Sequence, residues 1–584
     1  MKKDTKWLCV EGDLVKGKEL AQSLHISPKL GSLLIQRNIN SYEEAFRFFR
    51  PKLENLHDPF LMKGMDRAVN RVLQAIDQKE SILLFGDYDV DGTSAVSLLY
   101  RFLKSCHPQV SYYLPDRELE GYGVSALGIE RASKNGVHLI ISLDCGIKSK
   151  KEVEMARALG IDFIIMDHHL PDENIPKADA ILNPKQIDCP YPFKYLSGCG
   201  IAFKFSQALK LSRPNTGMEP EHLLDLVALS IACDMVEVED ENRILAYFGL
   251  KKLNSNPQMG IQQLLKTCQN SILIATQVKE PTENAKVIGF QEILFQLGPR
   301  INAAGRMGGA ERVVELFTTE DPSLAAFISL DLNEENLKRR EMEKSITRDA
   351  LEMIQVENLE NKFTNVLYHP EWHKGLVGIV ASRVIEKHYA PTIILTQSQG
   401  KVSGSARSVG DFNIYEAIKS CGHLLNQFGG HAAAAGLSLA PENLRAFQTE
   451  FEAVVSRSLE GKALQPQILY HEELVLEEIN PSFYKILDQF SPFGPGNPFP
   501  TFLSRGVRFL NPRILKETHL KVHIQGKKDI LEGIGFGLGA WLNKIEPGKE
   551  FDICYQIEMN TFRGNSSLQL LIKDIKFSKP LWQN

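Results

Sequence analysis

Between residues 81 and 184 the chain alternates short apolar runs with longer amphipathic stretches. The runs SILLFGD, QVSYYLPD, VHLIISLDCG, IDFIIMDHH and ADAILNP are close to continuously apolar rather than alternating. Strands with one wet face would alternate with period two; unbroken runs predict parallel strands covered by helices on both faces, a doubly wound α/β domain. Beyond it, EHLLDLVALSIACDMVEVED reads as a helix ending at Asp234. The stretch that starts DPSLAAF offers Asp321 as an N-cap and Pro322 at the first helical position. It then runs without a breaker to about residue 355, long enough to bridge two domains. Strand patterns return at NVLYH, TIILTQ and KVSGSARS, forming a second α/β stretch. SPFGPGNPFP excludes a regular element, and HLKVHIQ, FDICYQIEM and SLQLLIKDIKF alternate as in a small antiparallel barrel, best read as an oligonucleotide-binding OB-fold.

The reading is a multidomain α/β protein: a parallel-sheet domain, a long connecting helix, a second α/β domain and a C-terminal OB-like β-barrel. The boundaries expected are 1–75 for an N-terminal segment, 76–250, 251–360 for a helical connector, 361–460, and 461–584 for the barrel. A chain of 584 residues is too long for one hydrophobic core. No apolar run approaches the 18 or so residues that span a bilayer, so no membrane association is expected. Nine cysteines stand singly, with no C-x-x-C pair, which suits a reducing compartment, the cytoplasm, and excludes a thiolate zinc site. The net charge of −5 conceals an uneven distribution: Thr501 to Asn584 holds thirteen Lys and Arg against eight Asp and Glu, so the barrel is the basic part.

The chemistry sits where the first strand ends. ILLFGDYDVDGT sets Asp87, Asp89 and Asp91 at its tip; the third strand ends in Asp144, and the fourth in Asp167, His168 and His169. Ligands of open parallel sheets bind beyond the carboxyl ends of the strands, so three strands deliver acid or imidazole to one edge. Unpaired carboxylates repel and are costly to bury, and divalent cations are the economical remedy. Carboxylates with imidazole and without thiolate favour Mg²⁺ or Mn²⁺, and a pair of such ions suits phosphodiester hydrolysis.

FGDYDVDGTSA, LPDRELEGYG, SLDCGI, MDHH, LSGCGIAFKF and ACDMVEVEDENR resemble the successive motifs of the DHH phosphoesterase superfamily, in order. The similarity extends through LGPRINAAGRM, WHKGLVGIVASR, SGSARS, FGGHAAAAG and PFGPGNPFP to the nuclease branch of that superfamily, from about residue 50 to the end. The resemblance implies Asp89, Asp91, Asp144, His168 and Asp234 as metal ligands. It implies Asp87, Asp167 and His169 as catalytic positions nearer the reacting water, with two Mn²⁺ or Mg²⁺ ions. It makes 76–250 the DHH domain and 361–460 the DHH-associated, substrate-binding domain.

In that second domain Ser405 and Arg407, two apart on a strand, face the same way and suit a phosphate. Gly429 and Gly430 allow close backbone approach, His431 reaches toward phosphate, and the alanines of FGGHAAAAG are expected to permit tight helix packing. Arg117 and Arg306 are further candidates for phosphate contacts, and His373 is undecided between structure and cleft. On the barrel, Lys521, Lys527, Lys528 and Arg563 are the basic residues that would grip a single strand. The activity implied is metal-dependent 5′-to-3′ degradation of single-stranded DNA to 5′-mononucleotides in repair and recombination. A single-stranded-DNA-binding protein and a DNA helicase are the implied partners. The rivals are a small-substrate phosphodiesterase acting on oligoribonucleotides or cyclic dinucleotides, and a non-catalytic DNA-binding replication factor. Removing Asp91 is expected to abolish cleavage and leave the fold largely intact.

Overall fold

The computed structural model describes residues 5–117, 119–268, 287–462, 464–562 and 565–578. They form two compact units, one of residues 10–334 and 471–584 and a smaller one of residues 1–9 and 335–470.

The larger unit is built on five parallel strands in the spatial order Val110–Tyr113, Ile82–Gly86, Leu139–Leu143, Asp162–Met166, Ala180–Leu182. Numbered by sequence the order is 2-1-3-4-5, a doubly wound arrangement whose direction of winding reverses between the first and third strands. The unbroken apolar runs have their reason here. Ile82, Leu84, Ile141 and Ile164 enter one core, whereas Leu83, Phe85, Ile140 and Phe163 enter a second on the opposite face. Successive side chains of a strand point to opposite faces, and both faces are covered. The helix Leu224–Asp234 lies within the first core, with every residue from Leu224 to Ala232 buried, which is why its sequence lacks a polar stripe.

The same unit holds the barrel. Its strands run Phe502–Leu515, His519–Gln525, Ile530–Gly535, Asn565–Phe577, Glu550–Phe562, and the last pairs back with the first to close five strands. A register break between Ser504 and Val507 bends the long first strand so that it serves both neighbours. Leu20, Leu30, Leu33 and Leu34 of the N-terminal helices share a core with Phe502, Phe551 and Tyr555 of the barrel.

SPFGPGNPFP is a joint. Arg37 donates to Asn497 Oδ1 and to the Pro498 carbonyl, both at 2.6 Å. Asn497 Nδ2 donates to the carbonyls of Phe490 and Pro492, and Arg243 donates to those of Phe48, Gln489 and Phe490. Val238 N–H, four residues after Asp234, donates to the Pro495 carbonyl at 2.7 Å.

In the smaller unit five strands lie in the order Gln427–His431, Ala434–Leu439, Lys401–Arg407, Thr392–Ser398, Asn365–Tyr368, the last pair parallel and the others antiparallel. The alanine-rich FGGHAAAAG does not pack helices as expected: it is a hairpin of two strands, since small residues beside a tight turn serve a sheet as well as a helix. Lys6–Cys9 pairs in parallel with Gln467–Tyr470, so the first residues and the start of the 461–584 stretch both belong to this unit. The helix Pro322–Val356 begins in the larger unit and ends in the smaller; Asp321 Oδ1 caps it by accepting from Ser323 N–H at 2.8 Å.

Candidate metal centre and catalytic site

Register alone lines up the site. Gly86 pairs with Leu143, Leu143 with Met166, and Met166 with Leu182, so the next residues, Asp87, Asp144, Asp167 and Asn183, form a row along the carboxyl edge. The first and third strands border the switch point, where the edge opens into a crevice. Asp89 caps the helix Val90–Lys104 through Gly92 N–H at 3.0 Å, which leaves its other oxygen facing the row. Asp234 reaches the row from the end of the helix Leu224–Asp234, a position that periodicity could not reveal.

Asp91 is clamped. Its Oδ1 accepts from Cys199 N–H at 2.8 Å and Ser230 Oγ at 2.7 Å, and its Oδ2 from Gly198 N–H at 2.7 Å. The two N–H groups open the helix Gly198–Ser212, where donors have no intrahelical partner. His168 Nε2 lies 3.1 Å from Asp144 Oδ1, 3.4 Å from Asp234 Oδ2 and 3.7 Å from Asp91 Oδ2. Asp167 Oδ1 accepts from His169 Nδ1 at 2.7 Å and from its N–H at 3.0 Å, while Oδ2 accepts from Ile147 N–H at 2.9 Å. The far side of His169 faces the Tyr122 hydroxyl, 3.2 Å from Nε2.

The charges cannot rest as they stand. Burial and then Asp89 push the Asp87 carboxyl well above its usual range; burial followed by Asp91 and Asp89 does the same to Asp144. Asp234 is pushed up to about 8 by burial and by Asp91 and Asp89. Burial drives His168 down to about 4, so it is neutral and one of its ring nitrogens carries a free lone pair. Burial acts to raise Asp167, yet the His169 and Ile147 hydrogen bonds outweigh it and hold the carboxyl low. His169 is raised by Asp167 against the pull of burial.

Asp87 Oδ1, Asp144 Oδ1 and both His168 ring nitrogens are buried without a hydrogen bond. Orphaned oxygens and a neutral imidazole converging on one point are what hard divalent cations bind. Three overlapping sets each bring their ligand atoms within 4.8 Å: Asp91, His168 and Asp234; Asp87, Asp89 and Asp144; Asp144, His168 and His169. These sets could hold two ions. Asp87 thereby joins the candidate ligands rather than standing apart as a catalytic group. Cys145 and Cys199, next to the row, have thiols pushed well up by burial and offer no thiolate.

Arg117 and Arg306 gather beside the row at Tyr88. The Arg117 guanidinium lies 5.3 Å from the Tyr88 ring centre, and burial pushes the Tyr88 phenol up to about 12 although both arginines act to lower it.

In the smaller unit the register sets His431 beside Ala434 and Ala434 beside Arg407, with Gly430 opposite Ala435. Arg407 Nη1 donates to Ser405 Oγ at 2.7 Å. Both side chains lie against the first turn of the helix Val377–Lys387, for a Cβ on Gly378 would stand 2.8 Å from Arg407 Nη2 and 3.1 Å from Ser405 Oγ. A guanidinium, a hydroxyl and a helix N-terminus together make an anion site. His373 is half-buried and accepts from Gly375 N–H at 3.1 Å.

On the barrel, Lys521 is half-buried and paired with Glu532 at 2.7 Å, whereas Lys527 and Lys528 are exposed in the turn after Gln525; Arg563 lies outside the described residues. Residue reasoning missed Ser230, Tyr122 and the Gly198 and Cys199 N–H groups. All lie inside quoted stretches, Tyr122 in LEGYG, Gly198 and Cys199 in LSGCGIAFKF and Ser230 in LDLVALSIACD, but nothing in those stretches shows which atoms meet the acids.

Residues 81–231 match the DHH family, N-terminal domain, residues 360–457 the DHHA1 domain, and residues 470–574 the RecJ OB domain. The single-stranded-DNA-specific exonuclease RecJ of Bacillus subtilis (strain 168) is 35% identical over 584 residues, covering 99% of this chain and 71% of the relative. The chain belongs to the RecJ family. RecJ of Dickeya dadantii (strain 3937) is 33% identical, covering 94% of this chain and 95% of the relative. The crystal structure of RecJ in complex with Mn²⁺ from Thermus thermophilus is similar at a TM-score of 0.82 and 25% identity, covering 99% of this chain and 80% of that one. The multidomain α/β fold with a parallel-sheet DHH domain, a DHHA1 domain and a closed OB barrel is as expected. Among the described residues no helix is long and apolar enough to cross a membrane.

Proposed function

We propose that the chain degrades single-stranded DNA from the 5′ end to 5′-mononucleotides, at a centre holding two Mn²⁺ or Mg²⁺ ions. The observation that carries this reading is the row Asp87, Asp144 and Asp167 with Asp89, Asp91, Asp234 and His168 converging on it, in a family of single-stranded-DNA-specific exonucleases. Asp91, Asp234 and His168 hold one ion, and Asp87, Asp89 and Asp144 the other. Bound there, such ions supply Lewis acidity and a nucleophile from water for in-line attack on a phosphodiester. Asp167 fixes the His169 ring, so that its Nε2 faces the Tyr122 hydroxyl. Arg117 and Arg306 neutralise phosphate oxygens beside the row, and Ser405, Arg407 and His431 with the Gly430 backbone make a second phosphate site in the smaller unit. The exposed Lys527 and Lys528 extend the grip on the strand. Action in repair and recombination, a cytoplasmic location, and a single-stranded-DNA-binding protein and a helicase as partners complete the reading.

The test uses oligonucleotides labelled at either end, with Mn²⁺, with and without chelator. Chelator-sensitive release of labelled mononucleotide from the 5′ end first is expected. Release from the 3′ end first overturns the polarity, and turnover of dinucleotides alone overturns the long-strand substrate.

A further inference from the structure

One cation on the rim of the acid row has no part in that chemistry. Asn183, which follows the fifth strand, donates from Nδ2 to the His169 carbonyl at 2.9 Å and accepts at Oδ1 from Lys185 N–H at 2.8 Å. These bonds pin the start of Lys185 beside the His168–His169 pair. The side chain is half-buried, with Nζ 6.0 Å from the centre of the Tyr195 ring. Among the described residues its ammonium has neither a hydrogen-bond nor an ion-pair partner. His168 Nε2 lies 3.4 Å from Asp234 Oδ2, so the bonds through Asn183 set Lys185 at that end of the row. A partly desolvated ammonium without an acceptor is costly, and a ligand oxygen would remove the cost.

The opposite end shows the same pairing. Arg117 lies over Tyr88, and its charge acts on Asp87. Two cation–tyrosine pairs thus bracket the row, as the phosphates on either side of a scissile diester would require. Tyr195 is 51% exposed, its carbonyl accepts from Asn242 Nδ2 at 2.6 Å, and its ring meets Phe193 edge-on at 5.9 Å. It is therefore a fixed aromatic face open to solvent.

We propose that Lys185 and Tyr195 form a nucleotide subsite at the Asp234 end of the centre. The ammonium binds a non-bridging oxygen of a phosphate adjacent to the scissile one, and the tyrosine ring stacks on a base.

This inference rests on the exonuclease reading, so the test has a cleavage arm and a binding arm. In the first, wild type, Lys185→Ala, Lys185→Arg and Tyr195→Leu are compared with Mn²⁺ on three strands. One strand is 5′-phosphorylated, one carries a 5′-hydroxyl, and one carries an uncharged methylphosphonate at the linkage after the scissile one. Lys185→Ala is expected to lose about tenfold in kcat/KM, chiefly through KM, on the fully charged strand. Lys185→Arg recovers most of it, Tyr195→Leu raises KM, and the Lys185→Ala loss vanishes on one of the two charge-deleted strands, which identifies the phosphate. Equal loss on all three strands, no loss, or a changed Mn²⁺ affinity by calorimetry overturns the subsite. In the second arm, fluorescence anisotropy in chelator measures strand binding against salt, and Lys185→Ala is expected to reduce the salt slope by about 0.7. An unchanged slope overturns the subsite, and this arm decides even where wild type fails to cleave and the exonuclease reading falls.

Discussion

Both oxygens of Asp91 already accept hydrogen bonds from Gly198 N–H, Cys199 N–H and Ser230 Oγ, so this residue holds the protein together as well as offering a ligand atom. The fold expected to stay largely intact without Asp91 therefore stands to lose stability as well. Asp91→Ala strands the buried Gly198 and Cys199 N–H groups at about 1–3 kcal/mol each, Ser230 Oγ keeping its bond to Ser197 Oγ, and relief of repulsion among the acids offsets part of the loss. His168 makes no hydrogen bond through its ring, so His168→Ala strands nothing. Both variants should lose more than the roughly 10–100-fold typical of groups that only support a ligand. Only Asp91→Ala should also lower the denaturation midpoint clearly, and paired urea titrations and cleavage assays check this. Asp167→Asn, which frees His169 without touching a proposed ligand, should fall within that 10–100-fold range.

At the scale of elements, the site depends on how closely the helix Gly198–Ser212 approaches the third strand. A Cβ on Gly198 would stand 2.7 Å from the Asp144 Cβ, and the nearest group is the start of a ligand, not the tip of a flexible chain. Gly198→Ala should displace Asp144 and cut cleavage more than tenfold with unchanged far-UV circular dichroism; a fully active variant would show that the helix start can yield. A second element-level device is His471, between the N-terminal helices and the barrel. Its Nδ1 accepts from Thr501 N–H at 3.1 Å, which requires a neutral ring, and burial and then Arg37 drive it down to about 4. The unfolded chain takes up a proton near pH 6.5 that the folded chain refuses until about pH 4. Stability should therefore fall as pH drops through that window, by up to about 3 kcal/mol. Urea midpoints across it should fall for wild type and flatten for His471→Gln.

At the scale of the molecule, the acid cluster makes the larger unit depend on cations. Asp87, Asp144 and Asp234 are all raised by burial and then by neighbouring carboxylates, chiefly Asp89 and Asp91, a cost that a bound dication removes. Mn²⁺ at about a hundred times its Kd should stabilise the protein by about 2.7 kcal/mol, read as a rise in Tm that chelator reverses. An unchanged Tm would count against the whole ligand assignment. The joint at SPFGPGNPFP adds a mechanical link: Val238, four residues beyond Asp234, is bonded to Pro495, and Arg243 and Arg37 tie that stretch to the barrel's approach and to the N-terminal helices.

The parallel sheet, the long helix, the barrel and the row of acids were all legible in the chain, because each is a local pattern. An unbroken apolar run means a strand covered twice, and an acid directly after such a run must stand on the carboxyl edge. Asp234 was reached only through family resemblance, since a helix-terminal acid looks alike whether it faces solvent or a metal. What the tertiary structure alone decided is non-local. It joined Asp87 to Asp89 and Asp144, clamped Asp91 on Gly198, Cys199 and Ser230, turned FGGHAAAAG into a hairpin, and paired Lys6–Cys9 with Gln467–Tyr470. Those contacts join residues far apart in the chain, and register and packing, which no single stretch encodes, set their distances.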